Sequence, residues 1–450
     1  MGKFERDLTS GSVTKQLIRF SLPFLLSNFL QAMYNVMDTW IVSRFAGADT
    51  VTSVAQGGQI TLIATNLAIG FTVGGTILIS QYFGAGKREE LSKTIGTMLT
   101  SLAAISVVLA AGVILFSKPI LQAIGIPEAS LAEGQLYMNI CMAGVIFTFG
   151  YNAIASILRG MGDSKSPLFF ALIAGCINTA LDFPLVLLLP EGMKAAGDAV
   201  STVFAQAVSL VLAMRHLKKK GFVFEFKLDN FRIDKEKFRA LFKLGLPNSI
   251  QNLVVGFSFL LMTVLVNALK IPAAATAVGI VGKFNGFAIL PAIAMSAAVS
   301  SMAAQNLGAG LFERARKTMY SGMLLAFPLG AAFFLWAFLA PESIMKIFID
   351  DPAVIAQGIL YIKYFSLDYL FVTFFFCVNG LLMGAGLSRF TMINGMMSSV
   401  LLRIPVAYLF GMIMNWGLEG IGLAAPAATV GAGIIGFIYY KMGKWKRTLV

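Results

Sequence analysis

The sequence predicts an all-α polytopic membrane protein of twelve transmembrane helices in two pseudo-symmetric six-helix lobes. Three observations predict it: an apolar composition, a regular succession of long apolar stretches, and an internal repeat. Of the 450 residues, 57% are hydrophobic and only 13% are charged, with a mean hydropathy of +0.79. A soluble domain carries roughly 45–50% apolar and about 25% charged residues. The composition therefore excludes an ordinary soluble domain and makes the bilayer the solvent.

Long apolar stretches recur along the whole chain, and the charges between them are confined to short clusters. Each stretch exceeds the roughly 20 residues that cross a hydrocarbon core of about 30 Å. The opening segment carries acids as well as bases, and no small-residue cleavage site follows a short apolar core, so we expect no removable signal peptide. We predict spans at 15–43, 51–82, 93–116, 132–157, 166–189, 193–216, 240–268, 274–305, 317–340, 354–382, 390–413 and 419–441.

The basic residues are distributed unequally between the two sides of these spans. Most of the 35 Lys and Arg lie in segments on the side of the N-terminus, above all 215–243 and 441–447, while the opposite loops hold few bases and acids such as Glu128 and Glu133. By the positive-inside rule, both termini are predicted to be cytoplasmic in a multi-pass protein of the cell inner membrane. The basic residues behind the net charge of +13 are then expected to lie against anionic lipid head groups. We therefore expect no nucleic-acid partner.

Few side chains suit catalysis or soft-metal binding. The single histidine, His216, lies in a basic stretch at a membrane edge, and Cys141, Cys176 and Cys377 stand at unrelated spacings. Neither a disulfide framework nor a zinc site is indicated. No nucleophile with a base and no P-loop is recognisable. We predict a protein that is not an enzyme, has no cofactor or metal centre, and depends on an ion gradient.

The two halves of the chain repeat at a displacement of 224 residues. The matches include Gln, Glu, Lys and Pro, which a chance overlay of apolar sequence does not give. We predict an N-terminal lobe at 1–220, a cytoplasmic linker at 221–239 and a C-terminal lobe at 240–450. Six is even, so the lobes share one orientation, and the substrate path is expected between them. The matching segments are Leu17–Pro23 with Leu241–Pro247, Gln81–Gly86 with Gln305–Gly310, and Gly160–Lys165 with Gly384–Arg389.

Acids are rare within the predicted spans. Of the 22 Asp and Glu, only Asp38, Asp182 and Asp368 are predicted to lie well inside one. A central Asp costs roughly 2.5–3.5 kcal/mol on insertion scales, so such a residue points to a function. It can exchange a proton, and as an anion it can hold a sodium ion or a cationic substrate. A structural ion pair is the alternative.

Two spacings favour the first pair of acids. Asn178 and Asp182 are four residues apart and share a helix face, where an amide oxygen and a carboxylate can coordinate one hard cation or relay a proton. Asp38 lies about four turns beyond Pro23, whose missing N–H and bulky ring permit a bend in the first span. A bendable helix that carries an acid predicts a gate.

Taken together and in this order, the motifs resemble the multidrug and toxic compound extrusion (MATE) family over essentially the whole chain. They are the duplicated Gln-x-x-Gly-Ala-Gly turns at Gln81 and Gln305, the segment 158–165, and Asn178-x-x-x-Asp182. The resemblance implies a V-shaped transporter of the MATE or MOP-flippase-like fold. It further implies export of small organic, usually cationic, compounds in exchange for protons or sodium.

The resemblance also implies a pocket in the N-terminal lobe that binds the coupling cation and the substrate. Tyr34, one turn before Asp38, and Tyr137 are candidate hydrogen-bond partners there, or else anchoring and packing residues. We expect no partner chain, and a monomer. The residues that match the family pattern are the gating Pro23, Asp38, Asn152, Asn178 and Asp182.

One departure bears on the coupling ion. The family often has an Ala-Thr pair early in the sixth span whose Thr helps to bind sodium. The simplest overlay puts Val200 at that position, with Ser201 and Thr202 beside it. We therefore expect proton coupling rather than sodium coupling.

The C-terminal lobe gives weaker signals. Asp368 falls about one turn from the tenth-span aspartate of some relatives, and we expect it to pair with Lys283 or Arg403, the other deep charges. A flippase for a lipid-linked oligosaccharide, which shares the architecture, is the alternative function. Its pyrophosphate cargo calls for several cavity arginines, which the chain lacks. An intramembrane enzyme and a channel are less favoured.

Overall fold

The computed structural model describes residues 6–218 and 222–450, and within these ranges the chain is helical and contains no strand. The all-α prediction is therefore confirmed. Three of the long helices, α4, α8 and α10, are made of two segments. The long helices are α1 (Val13–Phe45), α2 (Ala48–Gly84), α3 (Arg88–Leu115), α4 (Glu128–Ala143 and Val145–Gly160), α5 (Lys165–Leu188), α6 (Lys194–Leu217), α7 (Lys235–Ala268), α8 (Ala274–Ala288 and Leu290–Gly308), α9 (Phe312–Leu339), α10 (Pro352–Phe365 and Asp368–Gly384), α11 (Ser388–Ile413) and α12 (Gly417–Lys441).

The predicted spans coincide with these helices to within a few residues. In the described ranges, nine elements are long and apolar enough to cross a membrane, and the bent pairs α4 and α10 raise the number to eleven. The twelfth is α1, whose 33 residues suffice in length but include the polar Asn28, Gln31 and Asn35. The chain is thus a multi-pass membrane protein of twelve helices.

The helix ends repeat at the displacement found in the sequence. The Gln-x-x-Gly-Ala-Gly segments close α2 and α8, where the N–H of Lys87 bonds the Tyr82 carbonyl (3.0 Å) and the N–H of Leu311 bonds the Asn306 carbonyl (2.7 Å). This bond and the left-handed glycine before it define a Schellman C-cap. The motifs are therefore tight helix-ending turns, as predicted. The left-handed glycines after α2, α4, α8 and α10 are Gly86 (φ 72°), Gly162 (φ 87°), Gly310 (φ 74°) and Gly386 (φ 75°).

The bends repeat as well. The two segments of α4 meet at 42° and those of α10 at 44°. The α4 break is at Gly144 and the α10 break lies between Phe365 and Asp368, so equivalent spans are broken at equivalent places. The duplication therefore extends from side chains to backbone.

The described chain separates into two compact units, and the boundaries between the units fall inside helices rather than in loops. One holds Leu26–Ser249 with residues 6 and 7, and the other holds Ile250–Val450 with Leu8–Leu25. Both divisions fall two residues after a proline, Pro23 in α1 and Pro247 in α7. Because proline removes one helical hydrogen bond, each helix is weakest there. The compact units thus differ from the predicted bounds of 1–220 and 240–450, which keep each helix whole.

Glycines bring α2 and α7 close together in the first unit. A Cβ placed on Gly74 would lie 2.7 Å from the Gly245 nitrogen and 2.9 Å from the Leu241 carbonyl oxygen. In lipid, helices gain little from apolar burial, so close approach through small residues is a main source of their association. The pair Gly74 and Gly245 is therefore a packing contact of the fold.

We expect Gly74→Leu to destabilise the protein strongly, because the new side chain would meet backbone atoms that cannot move aside. Overpacking typically costs about 1–3 kcal/mol even where side chains can relax. Size-exclusion profiles and thermal unfolding of purified protein measure the effect. Gly112→Leu in α3 is the matched control, since its Cβ position has no neighbour within 4 Å among the described residues. Equal yield and equal melting of the two variants would contradict the packing role.

Candidate functional site

Three carboxylates from three helices converge inside the first unit. Asp38 is on α1, Asp182 on α5 and Asp198 near the start of α6. One oxygen of each lies within 4.8 Å of an oxygen of the other two. The Asp182 and Asp198 side chains are buried, at 0% and 3% exposure. We call Asp38, Asp182 and Asp198 the aspartate cluster.

Asp198 was missed by the sequence analysis, which placed only Asp38, Asp182 and Asp368 deep in spans. It is the fifth residue of α6 and follows a glycine, so its position resembles a loop in the sequence. A signal was nevertheless present. Asp198 and Ser201 are three residues apart and therefore share the face of α6 that meets α5.

A buried glutamate fixes the start of α6. We predicted Glu133 in a loop, and this is wrong: it lies in α4 with 5% exposure. Its carboxylate accepts from the Ala195 N–H (3.0 Å) and the Thr50 hydroxyl (2.9 Å). A carboxylate at a helix N-terminus satisfies a free backbone donor and complements the helix dipole. Glu133 therefore sets the position from which Asp198 projects one turn later.

Hydrogen bonds join α5 to α6 beside the aspartate cluster. The Asn178 amide donates to the Thr202 hydroxyl (3.2 Å) and the Ser201 hydroxyl (3.5 Å). The Ser201 hydroxyl in turn donates to the Asp182 carboxylate. The structure thus brings Asn178 and Asp182 together on one face, as their spacing predicts, and adds Ser201 and Thr202 to the same group.

Several oxygens of this group are left without a partner. Among the described residues, none of the three aspartates takes part in an ion pair. Buried polar atoms are hydrogen-bonded in the great majority of cases. Unpaired carboxylate and amide oxygens are ligands that protons and hard cations accept. The buried oxygens with no hydrogen-bond partner in the described chain are Asp38 Oδ1, Asp182 Oδ2, Asp198 Oδ1 and Asn178 Oδ1.

Mutual repulsion makes the fully ionised cluster costly. Two unit charges 4.8 Å apart repel by about 3 kcal/mol at an effective dielectric constant of about 20. Three such pairs have no basic residue within ion-pair distance to compensate them in the described chain. The arrangement therefore favours bound protons or other cations.

Of the remaining predicted residues, Tyr34 and Tyr137 lie close enough to interact electrostatically with aspartates of the cluster. Tyr137 is buried with its ring against Gly57. The Asn152 amide donates to the Thr148 carbonyl (2.8 Å). Hydrogen bonds from Tyr34, Tyr137 or Asn152 to the three aspartates are absent from the described part of the chain. Their roles in binding stay predictions.

Pro23 and Val200 are placed by their helices. Pro23 is buried inside α1, fifteen residues before Asp38 on the same helix. Val200, the position at which the family pattern has Thr, is 45% exposed, whereas Ser201 is buried beside Asp182. A hydroxyl oxygen is thus present at the cluster although position 200 supplies none.

The C-terminal charges are arranged differently from our expectation. Asp368 is buried at 5% exposure, and its Oδ1 has no hydrogen-bond partner in the part of the chain that the structure describes. Neither Lys283 nor Arg403 forms an ion pair with it in the described ranges. Lys283 is exposed, and the Arg403 guanidinium instead lies over the Phe259 ring, 5.0 Å from its centroid. The expected pairing is therefore not formed.

Comparison with known proteins supports the duplication and identifies the family. The MatE family model matches the chain twice, over residues 23–183 and 247–409. The two matches begin at Pro23 and Pro247, at the displacement of the internal repeat. Together they cover well over half of the chain.

The similarity to individual proteins extends over nearly the full length. The probable multidrug resistance protein YpnP of Bacillus subtilis is 28% identical over 444 residues, covering 98% of this chain and 97% of that protein. The probable multidrug resistance protein NorM of Thermotoga maritima is 25% identical, with 97% and 94% coverage. The outward-facing structure of a multidrug resistance MATE family transporter of the MOP superfamily superposes with a TM-score of 0.91 at 19% identity, covering 97% of each chain. This chain therefore belongs to the MatE family, the multidrug and toxic compound extrusion transporters, with their fold of twelve helices in two six-helix lobes.

Proposed function

We propose that this protein is a secondary active efflux antiporter that exports small organic, cationic compounds in exchange for protons. The aspartate cluster is the observation that carries the proposal. Three carboxylates within 4.8 Å of one another, with oxygens that have no hydrogen-bond partner among the described residues, form a negatively charged site inside the first unit. The names of YpnP and NorM as probable multidrug resistance proteins support the export of organic compounds.

Substrate and coupling cation are exchanged because they compete for the same negative charge. A cationic substrate and the coupling cation are both stabilised by the aspartate cluster, and each reduces the charge available to the other. A ligand shifts an equilibrium between two states only by its difference in affinity for them. Protonation of Asp38 and Asp182 removes the charge that holds the substrate, and so favours its release.

Helix α1 connects this charge change to a movement. It carries Asp38 and, earlier in the same helix, Pro23, where a hydrogen bond is missing and bending is easy. Neutralisation of Asp38 removes its attraction to the substrate and its repulsion from the other carboxylates of the cluster. We propose that α1 then bends at Pro23 and acts as the gate.

Sodium is the second candidate for the coupling ion. The Val200 position disfavours it, but Ser201 bonds Asp182 directly and Asn178 Oδ1 is unpartnered. A hydroxyl, an amide oxygen and carboxylates are a suitable ligand set for a hard cation. We propose the proton as the coupling ion, and the experiment below distinguishes proton coupling from sodium coupling.

We also propose a membrane, an oligomeric state and a topology for the transporter. We place it in the inner membrane as a monomer with both termini and the linker cytoplasmic, since the bases are concentrated on that side. A lipid-linked oligosaccharide flippase is less well supported, because the acidic cluster would repel a pyrophosphate.

The direct test is uptake of ethidium, an organic cation, into inverted membrane vesicles that contain the protein. We expect a pH gradient with the acid side inside to drive uptake, and nigericin, which collapses that gradient, to stop it. Uptake driven by a sodium gradient alone, with the higher sodium concentration inside the vesicles, would instead establish sodium coupling. If neither gradient drives uptake beyond that of vesicles without the protein, the antiport proposal is wrong.

A further inference from the structure

A second site candidate lies wholly within the second unit and takes no part in the aspartate cluster. It is a cavity of about 230 Å³ between α7, α8, α10, α11 and α12, in the half of the unit where α7 ends and α8 and α12 begin. Its walls are mostly apolar and include Phe259, Met262, Val266 and Phe365. We call it the Arg403 cavity, after the one ionisable base on its wall.

Two of the polar side chains on the wall, Arg403 and Asn285, have buried atoms without a hydrogen-bond partner in the described chain. The Nε and Nη1 atoms of Arg403 are buried and make no hydrogen bond within the described chain, and the same is true of Asn285 Oδ1. A guanidinium is always charged and presents its donors as a planar fork. Burying such donors in an apolar wall without a hydrogen-bond acceptor costs free energy of folding. The cavity therefore has a fixed positive charge with unused donors.

The backbone of α11 holds this arginine in place. Arg403 starts a short α-helical segment, Arg403–Tyr408, between the π-helical segments Met397–Leu402 and Leu409–Ile413. Single π-helical turns are rare in proteins, and those that occur are often found at functional sites. The Phe259 ring lies 5.0 Å from the guanidinium carbon, within the range of a cation–π contact. The guanidinium is thus supported on one face while its edge stays available.

The nearby acid Asp368 forms no ion pair with this guanidinium in the described chain. Asp368 is close enough to interact electrostatically with Arg403, but no ion pair joins the two in the described ranges. A carboxylate is the partner that matches the fork of an arginine in two parallel hydrogen bonds. The geometry therefore calls for a carboxylate from outside the chain.

We propose that the Arg403 cavity binds a small organic acid, with its carboxylate on Arg403 and its apolar body against the surrounding helices. The Asn285 amide lines the same wall and can donate to the second carboxylate oxygen. Pockets for drug-sized ligands measure about 300–1,000 Å³, so the acid is smaller than these. An aromatic monocarboxylate such as 3-phenylpropionate has suitable chemistry. This site is independent of the proposed cation exchange.

Two glycines of α8 allow the cavity to be filled without disturbing its walls. Gly279 and Gly282 line it, and no atom of the described residues lies within 4 Å of a Cβ built on either. Leucine also has a higher helix propensity than glycine. A leucine at position 282 can therefore occupy the ligand's space while the helix persists. Gly286 on the same helix has equally open surroundings but does not line the cavity, so Gly286→Leu is the matched control.

The experiment is equilibrium binding of radiolabelled 3-phenylpropionate to the purified full-length protein in nanodiscs of neutral lipid. We expect saturable binding that weakens at least tenfold in Arg403→Gln and in Gly282→Leu, and that is unchanged in Gly286→Leu and in the exposed-surface variant Arg389→Gln. Arg403→Lys should bind at an intermediate level, since it keeps the charge and loses the fork. The uncharged 3-phenylpropionamide should not compete.

Several outcomes would overturn the proposal. Binding that survives Arg403→Gln, or equal competition by the amide, would show that the guanidinium does not recognise a carboxylate. Binding that survives Gly282→Leu would place the ligand elsewhere. If the acid fails to bind to wild type while anionic phospholipid binds in an Arg403-dependent way, the cavity is a lipid site. Monodisperse elution of each variant ensures that lost binding is not lost folding.

Discussion

Asp38→Asn and Asp182→Asn are each expected to reduce gradient-driven export to the level of vesicles without the protein. Both substitutions keep the shape of the side chain and remove its negative charge. Coupling requires that the cation bind one state of the transporter better than the other. Asp182 is fully buried and hydrogen-bonded to Ser201, and its neutral variant can no longer alternate between holding a cation and releasing it.

The fold should survive these substitutions, so export and folding can be separated. An amide can still accept from Ser201, and removing one charge relieves repulsion within the cluster. Dye efflux from proteoliposomes under an imposed pH gradient, beside size-exclusion profiles of the same preparations, makes the measurement. Asp350→Asn, at an exposed acid in a loop, is the matched control and should export normally.

Asp368→Asn gives a contrast within the same experiment. Asp368 belongs to the other unit, where it is buried and forms no ion pair with any described residue. We expect its substitution mainly to shift substrate preference or to lower stability. If the Asp38 and Asp182 variants export at the wild-type rate, the coupling site in the first unit is wrong, and Asp368 becomes the first candidate.

Much of the fold could be predicted from the sequence because it depends on signals that repeat. The polar matches at a displacement of 224 residues and the glycines after α2 and α8 fix helix number and helix ends through local chemistry. The face shared by Asn178 and Asp182 is likewise a local property, set by the 3.6-residue period of a helix. These features depend on near neighbours in sequence.

The features that were missed depend on distant contacts. Asp198 becomes part of the site only because Glu133, from another helix, fixes where α6 begins. The failure of Asp368 to pair with Arg403 depends on the path of α11, whose π-helical segments carry no sequence period of their own. The division of both compact units after Pro23 and Pro247 is a property of packing, although the prolines themselves were recognised.

Asp198→Asn should leave export active but weaken the substrate gradient that it can sustain. With three carboxylates and no basic ion-pair partner among the described residues, we expect the aspartate cluster to exchange two cations for each substrate ion. Removing Asp198 leaves Asp38 and Asp182, the two carboxylates that we expect export itself to require, and we expect this pair to carry one cation. Under a tenfold cation gradient, two coupled cations sustain a substrate ratio of about 100-fold and one sustains about tenfold, because free energies add while ratios multiply.

The measurement is the substrate ratio at steady state in proteoliposomes, with the membrane potential held at zero by valinomycin and equal potassium on both sides. Initial rates alone would not distinguish lost coupling from slower binding. Ser201→Ala is the matched control, because it removes the hydroxyl on Asp182 without changing the number of charges, and it should alter affinity while keeping the wild-type ratio. An Asp198→Asn variant that sustains the wild-type ratio would show that Asp198 does not carry a coupling cation, and that its place in the cluster is structural.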